Sequence, residues 1–118
     1  MTKNERRAYD RKWYAKNFDR LRESKNKRIR DAKKRNGLYV FQYLKNHPCV
    51  DCGESDPIVL EFDHQHSKER NVSDLLRGSY SLKKVILEID KCEVRCANCH
   101  RRKTAKQFNW YQYRNEEA

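Results

Sequence analysis

Two Cys-x-x-Cys pairs, Cys49/Cys52 and Cys96/Cys99, dictate more about what this chain can fold into than any other part of it. In each pair the two-residue spacer lets both sulfurs face one ion while backbone amides turn toward them, and four thiolates form the soft tetrahedral set that structural zinc takes. The chain needs such a staple. With 118 residues, 36% hydrophobic against 38% charged, it amounts to one domain at most and has little apolar core. A four-thiolate Zn²⁺ site contributes about 10 kcal/mol or more of binding energy that doubles as folding energy. The metal-free chain is therefore expected to be largely unfolded. A disulfide framework is the competing use of these cysteines, but the spacing and an unpaired fifth cysteine, Cys92, argue against it. Neither a signal peptide nor a long apolar run is present, so the expectation is a reduced, cytoplasmic protein with no membrane partner.

Charge is distributed unevenly. Residues 1–36 hold fifteen Lys and Arg against five Asp and Glu, net +10, while residues 37–118 hold thirteen against twelve, net +1. An arm this basic gains affinity for phosphates by counterion release without reading sequence, which points to DNA or RNA. A solvated basic helix with no partner is the plainer alternative. Anionic membrane fits less well, because the arm's large apolar residues form no continuous stripe.

The periodicity predicts a small α+β protein in two parts, a basic helical arm over residues 1–36 and a zinc-stapled domain over 37–118. From Asn4 to Asn36 there is no proline or glycine, and Tyr9/Trp13 and Tyr14/Phe18/Leu21 recur at helical spacings. The stretch from Ser24 to Arg35 has Ile29 as its one large aliphatic, so charge pairs should hold it. Asn36-Gly37 is expected to end this helix, and Leu38, Phe41 and Leu44 to form the apolar face of a short second one stopped at Pro48. Cys49 to Gly53 reads as a tight knuckle, and Ile58 to Phe62 as a strand that carries Asp63-His64 at its far end. Val72 to Arg77 reads as a helical turn. Ser81 caps a helix with Leu82, Val85, Ile86 and Ile89 on one face. Cys92 to Arg95 makes a return strand, a last helix starts at Ala97, and Phe108, Trp110 and Tyr111 are expected to fold back over the core.

The paired knuckles, the Asp63-His64 dipeptide between them and His100 directly after Cys99 resemble the HNH endonucleases in their zinc-stapled phage and prophage branch. The Asp63-His64-Gln65-His66 run is also similar to the recombination endonuclease VII group. The resemblance covers roughly residues 46 to 110 and implies a ββα-metal (His-Me finger) unit that hydrolyses DNA phosphodiester bonds with little sequence specificity. It makes His64 the general base, and Asp63 and His100 ligands of one catalytic ion, Mg²⁺ or Mn²⁺, with Ni²⁺ also suited to a mixed acid-imidazole set. His66 would hold the phosphate or complete the ion's shell. Arg101, Arg102 and Lys103 on the last helix, with Lys68 and Arg70, would contact flanking phosphates. The resemblance further implies action near phage packaging proteins, in the host cytoplasm if the chain is phage-encoded.

Two departures from the family pattern bear on the site. A regular strand sends Asp63 and His64 to opposite faces, so the strand is expected to end or bulge at Asp63 if both are to reach one phosphate. The family's middle asparagine, which fixes the ring of the base, falls here on Lys91, so His64 must be oriented by another group. The competing reading is a zinc-knuckle nucleic-acid-binding protein without catalysis. A structural partner that docks through the arm is a third, less supported reading. An acid-imidazole cluster beside the zinc distinguishes the nuclease from both.

Overall fold

A computed structural model describes residues 1–113 and gives a small α+β protein with a long N-terminal helix and a two-stranded antiparallel sheet. Helix α1 spans Lys3–Lys45, β1 Leu60–His64, α2 Val72–Leu75, α3 Leu82–Ile89, β2 Cys92–Cys96 and α4 Ala97–Gln107. A capping box starts α1: the Thr2 hydroxyl accepts from the Glu5 amide (3.2 Å) and the Glu5 carboxylate accepts from the Thr2 amide (2.8 Å). At the other end His47 Nδ1 donates to the Tyr43 carbonyl at 2.6 Å, and Pro48 follows.

The expected break at Asn36-Gly37 does not occur, and the division drawn there falls inside one 43-residue helix. A helical glycine costs about 1 kcal/mol. Tertiary contacts offset it: Asn36 is fully buried, donates to the Tyr80 carbonyl at 2.9 Å, and is followed one and two turns later by buried Val40 and Leu44. Before Ala32 no residue of α1 is buried, so the projecting arm is shorter than the charge count suggests. Charge pairs do not hold it either. Among the described residues the arm's one ion pair is Arg6–Asp10 at 3.5 Å.

The body packs Val40 and Leu44 of α1 with Leu60 of β1, Val72 and Leu75 of α2, Val85 and Ile89 of α3, and Val94 of β2. Helix α3 starts as its sequence requires, with the Ser81 hydroxyl accepting from the Lys84 amide at 3.2 Å. Strand β1 begins at Leu60, two residues later than the β-propensity suggests. Pro57–Val59 form a 3₁₀ turn instead, held by the Asp56 carboxylate, which accepts from the Ile58 amide at 3.0 Å. Pairing of β1 with β2 runs unbroken from Leu60↔Cys96 to His64↔Cys92, without the bulge expected at Asp63. Phe108 and Tyr111 do not cover the core. Both are exposed, and half-buried Trp110 lies against the Arg101 guanidinium at 5.2 Å. None of the helices is long and apolar enough to cross a membrane, among the described residues.

Candidate functional site

The sheet end and the start of α4 bring the four predicted cysteines together. Their sulfurs all lie within 4.8 Å of one another, and among the described residues no other group of three or more His, Cys, Asp or Glu side chains is gathered closely enough to hold an ion. Local structure explains how. Gly53 at φ +79° lets the first knuckle turn back, with its amide donating to the Cys49 carbonyl and the Cys49 amide donating to Glu54. Cys96 closes β2 and caps α4 at once, its sulfur accepting from the Cys99 amide at 3.4 Å. The Cys52 and Cys96 sulfurs are 3.7 Å apart. A tetrahedral ion with metal–sulfur bonds of about 2.3 Å needs an edge of about 3.8 Å, so the cluster fits a structural metal such as zinc.

Electrostatics in the cluster favour a cation. Burial opposes ionisation of the Cys49 thiol, but hydrogen bonds from the Cys96, Cys52 and Asp51 amides outweigh it and lower its pKa to about 6. The hydrogen bond with Cys96, then burial and the remaining thiols, push Cys99 up to about 12. At Cys52 the Glu54 amide favours the thiolate, yet the neighbouring Cys49 and Cys96 sulfurs leave it raised. Thiols this close cannot all ionise until an ion neutralises them. Cys92 stands apart from the cluster. It is half-buried, its thiol donates to the Glu88 carbonyl at 3.4 Å, and burial raises it to about 11.

Where α4 crosses β1, Asp63 Oδ1 and His100 Nε2 approach to 3.6 Å. Two atoms bound to one ion at about 2.1 Å lie roughly 3 Å apart at right angles and up to about 4.2 Å in line, so this pair fits as part of a ligand set. Other charges already engage both residues. Arg95 Nη1 and Lys103 Nζ each lie 2.7 Å from Asp63 Oδ2, and Glu61 Oε2 lies 2.7 Å from His100 Nδ1. Burial works against the Asp63 carboxylate, but Lys103, His100 and Arg95 outweigh it and lower its pKa.

His64 points elsewhere. Its Nε2 lies 2.8 Å from Oε1 of Glu88, a carboxylate that is only 4% exposed. Burial disfavours that charge, yet Lys91, the Glu69 amide, His64 and the Arg70 amide together lower the Glu88 pKa to about 2. The opposite-face placement of Asp63 and His64 is thus real. It does not separate them completely, because β1 has β2 on one edge only, and a groove of about 870 Å³ runs along β1, lined by Glu61, Asp63, His64, Lys68, Asn71 and His100 among others.

The remaining predicted residues divide. Lys68 lines the groove and is exposed. His66 is exposed in the loop after β1, outside the Asp63–His100 contact. Arg70 lies over the Tyr80 ring at 5.5 Å and Arg101 over Trp110 at 5.2 Å, so both are held against aromatic rings. Arg102 is exposed beside the cysteine cluster, and Lys103 is engaged with Asp63. Sequence reasoning missed Glu61, Glu88 and Arg95. Strand alternation puts Glu61 on the Asp63 face, which was a usable signal for it. Arg95 pairs in register with Glu61, and Glu88 flanks the apolar stripe of α3, neither of which marks a functional residue.

Scans against protein-family models, curated proteins and solved structures found no match to this chain.

Proposed function

We propose that this protein is a metal-dependent endonuclease of the HNH type that hydrolyses DNA phosphodiester bonds with low sequence specificity, its two strands and α4 forming a ββα-metal unit stapled by zinc. The observation that carries the reading is the groove along β1, which collects Asp63, His64 and His100 beside Lys68. His64 is the base that takes a proton from the attacking water, a role that an imidazole nitrogen can fill. Lys68 attracts the phosphate, and the basic stretch of α1 adds affinity that is independent of sequence. Asp63 and His100 would hold a divalent ion such as Mg²⁺ or Mn²⁺, which would stabilise charge on the phosphate and on the departing oxygen.

Two contacts favour a second reading, a zinc-stapled nucleic-acid-binding protein without catalysis. Lys103 and Arg95 already satisfy the Asp63 carboxylate, so that residue is stable with no ion beside it. A supercoiled-plasmid nicking assay with Mg²⁺, Mn²⁺ or Ni²⁺ separates the two. His64→Gln keeps a donor for Glu88 but has no basic nitrogen. It is expected to lose nicking by about 100-fold or more, the usual worth of a general base, with zinc content and DNA affinity unchanged. Equal nicking by wild type and variant removes His64 from the mechanism. Tight binding with no nicking by either supports the non-catalytic reading.

A further inference from the structure

We infer that Glu88 is the positioning residue that fixes the ring orientation and tautomer of His64, an inference that rests on the nuclease reading for its catalytic meaning. Three features of the geometry carry it. The Glu88 carboxylate is buried, and it receives donors from three directions: His64 Nε2 at 2.8 Å, Lys91 Nζ at 3.0 Å, and the Glu69 and Arg70 amides at 3.1 and 3.4 Å. Lys91, which stands where the HNH pattern has its asparagine, makes no hydrogen bond to His64. It spans from Glu88 to the Ser67 carbonyl, 3.0 Å away, and so anchors the carboxylate and the loop after β1 together. Helix α3, which bears Glu88, is itself fixed by fully buried Val85 and Ile89, so the acceptor sits on a rigid element.

The consequence for His64 follows from hydrogen-bond chemistry. An ionised carboxylate only accepts, so Nε2 must carry the hydrogen that Glu88 receives. In the neutral ring Nδ1 is then the bare nitrogen, and among the described residues it has no hydrogen-bond partner. The side chain is 11% exposed, enough for one nitrogen to face the groove while the other is locked. Glu88 therefore selects which nitrogen receives the proton, and it holds the ring against rotation. This is the task that a hydrogen bond to the far nitrogen performs for any histidine that must present one nitrogen to chemistry.

Ring ¹⁵N spectra of the zinc-loaded, full-length protein test this directly, since four histidines give few signals and His64→Gln identifies the one at issue. At a pH where the ring is neutral, wild-type His64 is expected as the Nε2–H tautomer. Glu88→Ala should give a mixture of tautomers, and Glu88→Gln, whose amide oxygen still accepts, should restore the single form. In the nicking assay Glu88→Ala is expected to lower kcat by tenfold or more, with KM for DNA within about twofold, and Glu88→Gln to recover part of the loss. A wild-type ring in the Nδ1–H tautomer overturns the assignment without any variant, which matters if Glu88→Ala does not fold. An unchanged tautomer and kcat in a folded Glu88→Ala protein overturns it as well. If wild type shows the Nε2–H tautomer but nicks DNA with none of the ions, the nuclease reading falls, while the control of His64 by Glu88 stands.

Discussion

Stripping the metal from the four-cysteine centre is expected to unfold the body of the protein. An ion there would tie three points together: the Cys49–Gly53 knuckle, the end of β2 and the first turn of α4. Without it the sheet is a pair of five-residue strands, which in isolation is marginally stable at best. A domain of this size has a net stability of roughly 5–15 kcal/mol, and a structural zinc supplies about 10 kcal/mol or more, so removal takes the balance close to zero or below it. Thiol ionisation adds a second magnitude. In an unfolded, metal-free chain the cysteines titrate near the ordinary thiol value of about 8.5 and are mostly protonated at pH 7, so two or more of them must each lose a proton to bind. At least two protons are released per ion, and the affinity should rise by at least about 100-fold per pH unit near neutrality. The sign is that of competition: protons and metal seek the same sulfurs, so acid weakens binding. Chelator titration followed by near-ultraviolet circular dichroism reads the first expectation, and calorimetry of zinc binding in buffers of different ionisation enthalpy counts the protons. A protein with no bound metal that melts at the temperature of the loaded form would refute the staple. A proton count near zero would refute the electrostatic account of the cysteines.

Other perturbations address the arm. Asn36→Ala removes a buried donor to the Tyr80 carbonyl, which Arg35 still serves at 3.0 Å, so the expected loss is about 1–2 kcal/mol, read from urea denaturation. A loss below about 0.3 kcal/mol, smaller than the ordinary worth of such a bond, would mean that Asn36 does not anchor the helix. Deleting residues 1–30 removes twelve Lys and Arg against four Asp and Glu, net +8, yet spares the docked positions from Ala32 onward. DNA affinity should drop, and the slope of log affinity against log salt should flatten by about 0.9 for each phosphate that is no longer neutralised. An identical slope would assign the arm to another task.

Legibility from sequence followed the range of the forces involved. The cysteine cluster, the cap and stripe of α3, and the return strand were readable because each is set by local spacing: two residues between sulfurs, a serine before an apolar run, alternation along five residues. The Thr2–Glu5 box is equally local and marks the start of α1 at Lys3. The run through Asn36-Gly37 was not readable, because the local signal favours a stop and is overridden by a contact 44 residues away in sequence. The same holds for Glu88 and His64, which are 24 residues apart and meet only once α3 packs beside the strand pair. The expected bulge was a sound deduction from alternation. It did not allow for residues from both faces of β1 reaching one groove along its unpaired edge.

The unbroken course of α1 has a mechanical consequence. A glycine hinge would have let the basic stretch swing, whereas a continuous rod anchored at Asn36 fixes both its reach and its direction. From Lys3 to Asp31 the rod extends roughly 43 Å at about 1.5 Å per residue, a length matched by about 13 base pairs of duplex at roughly 3.4 Å each. A charged partner lying along it would be held at a set angle to the body of the protein.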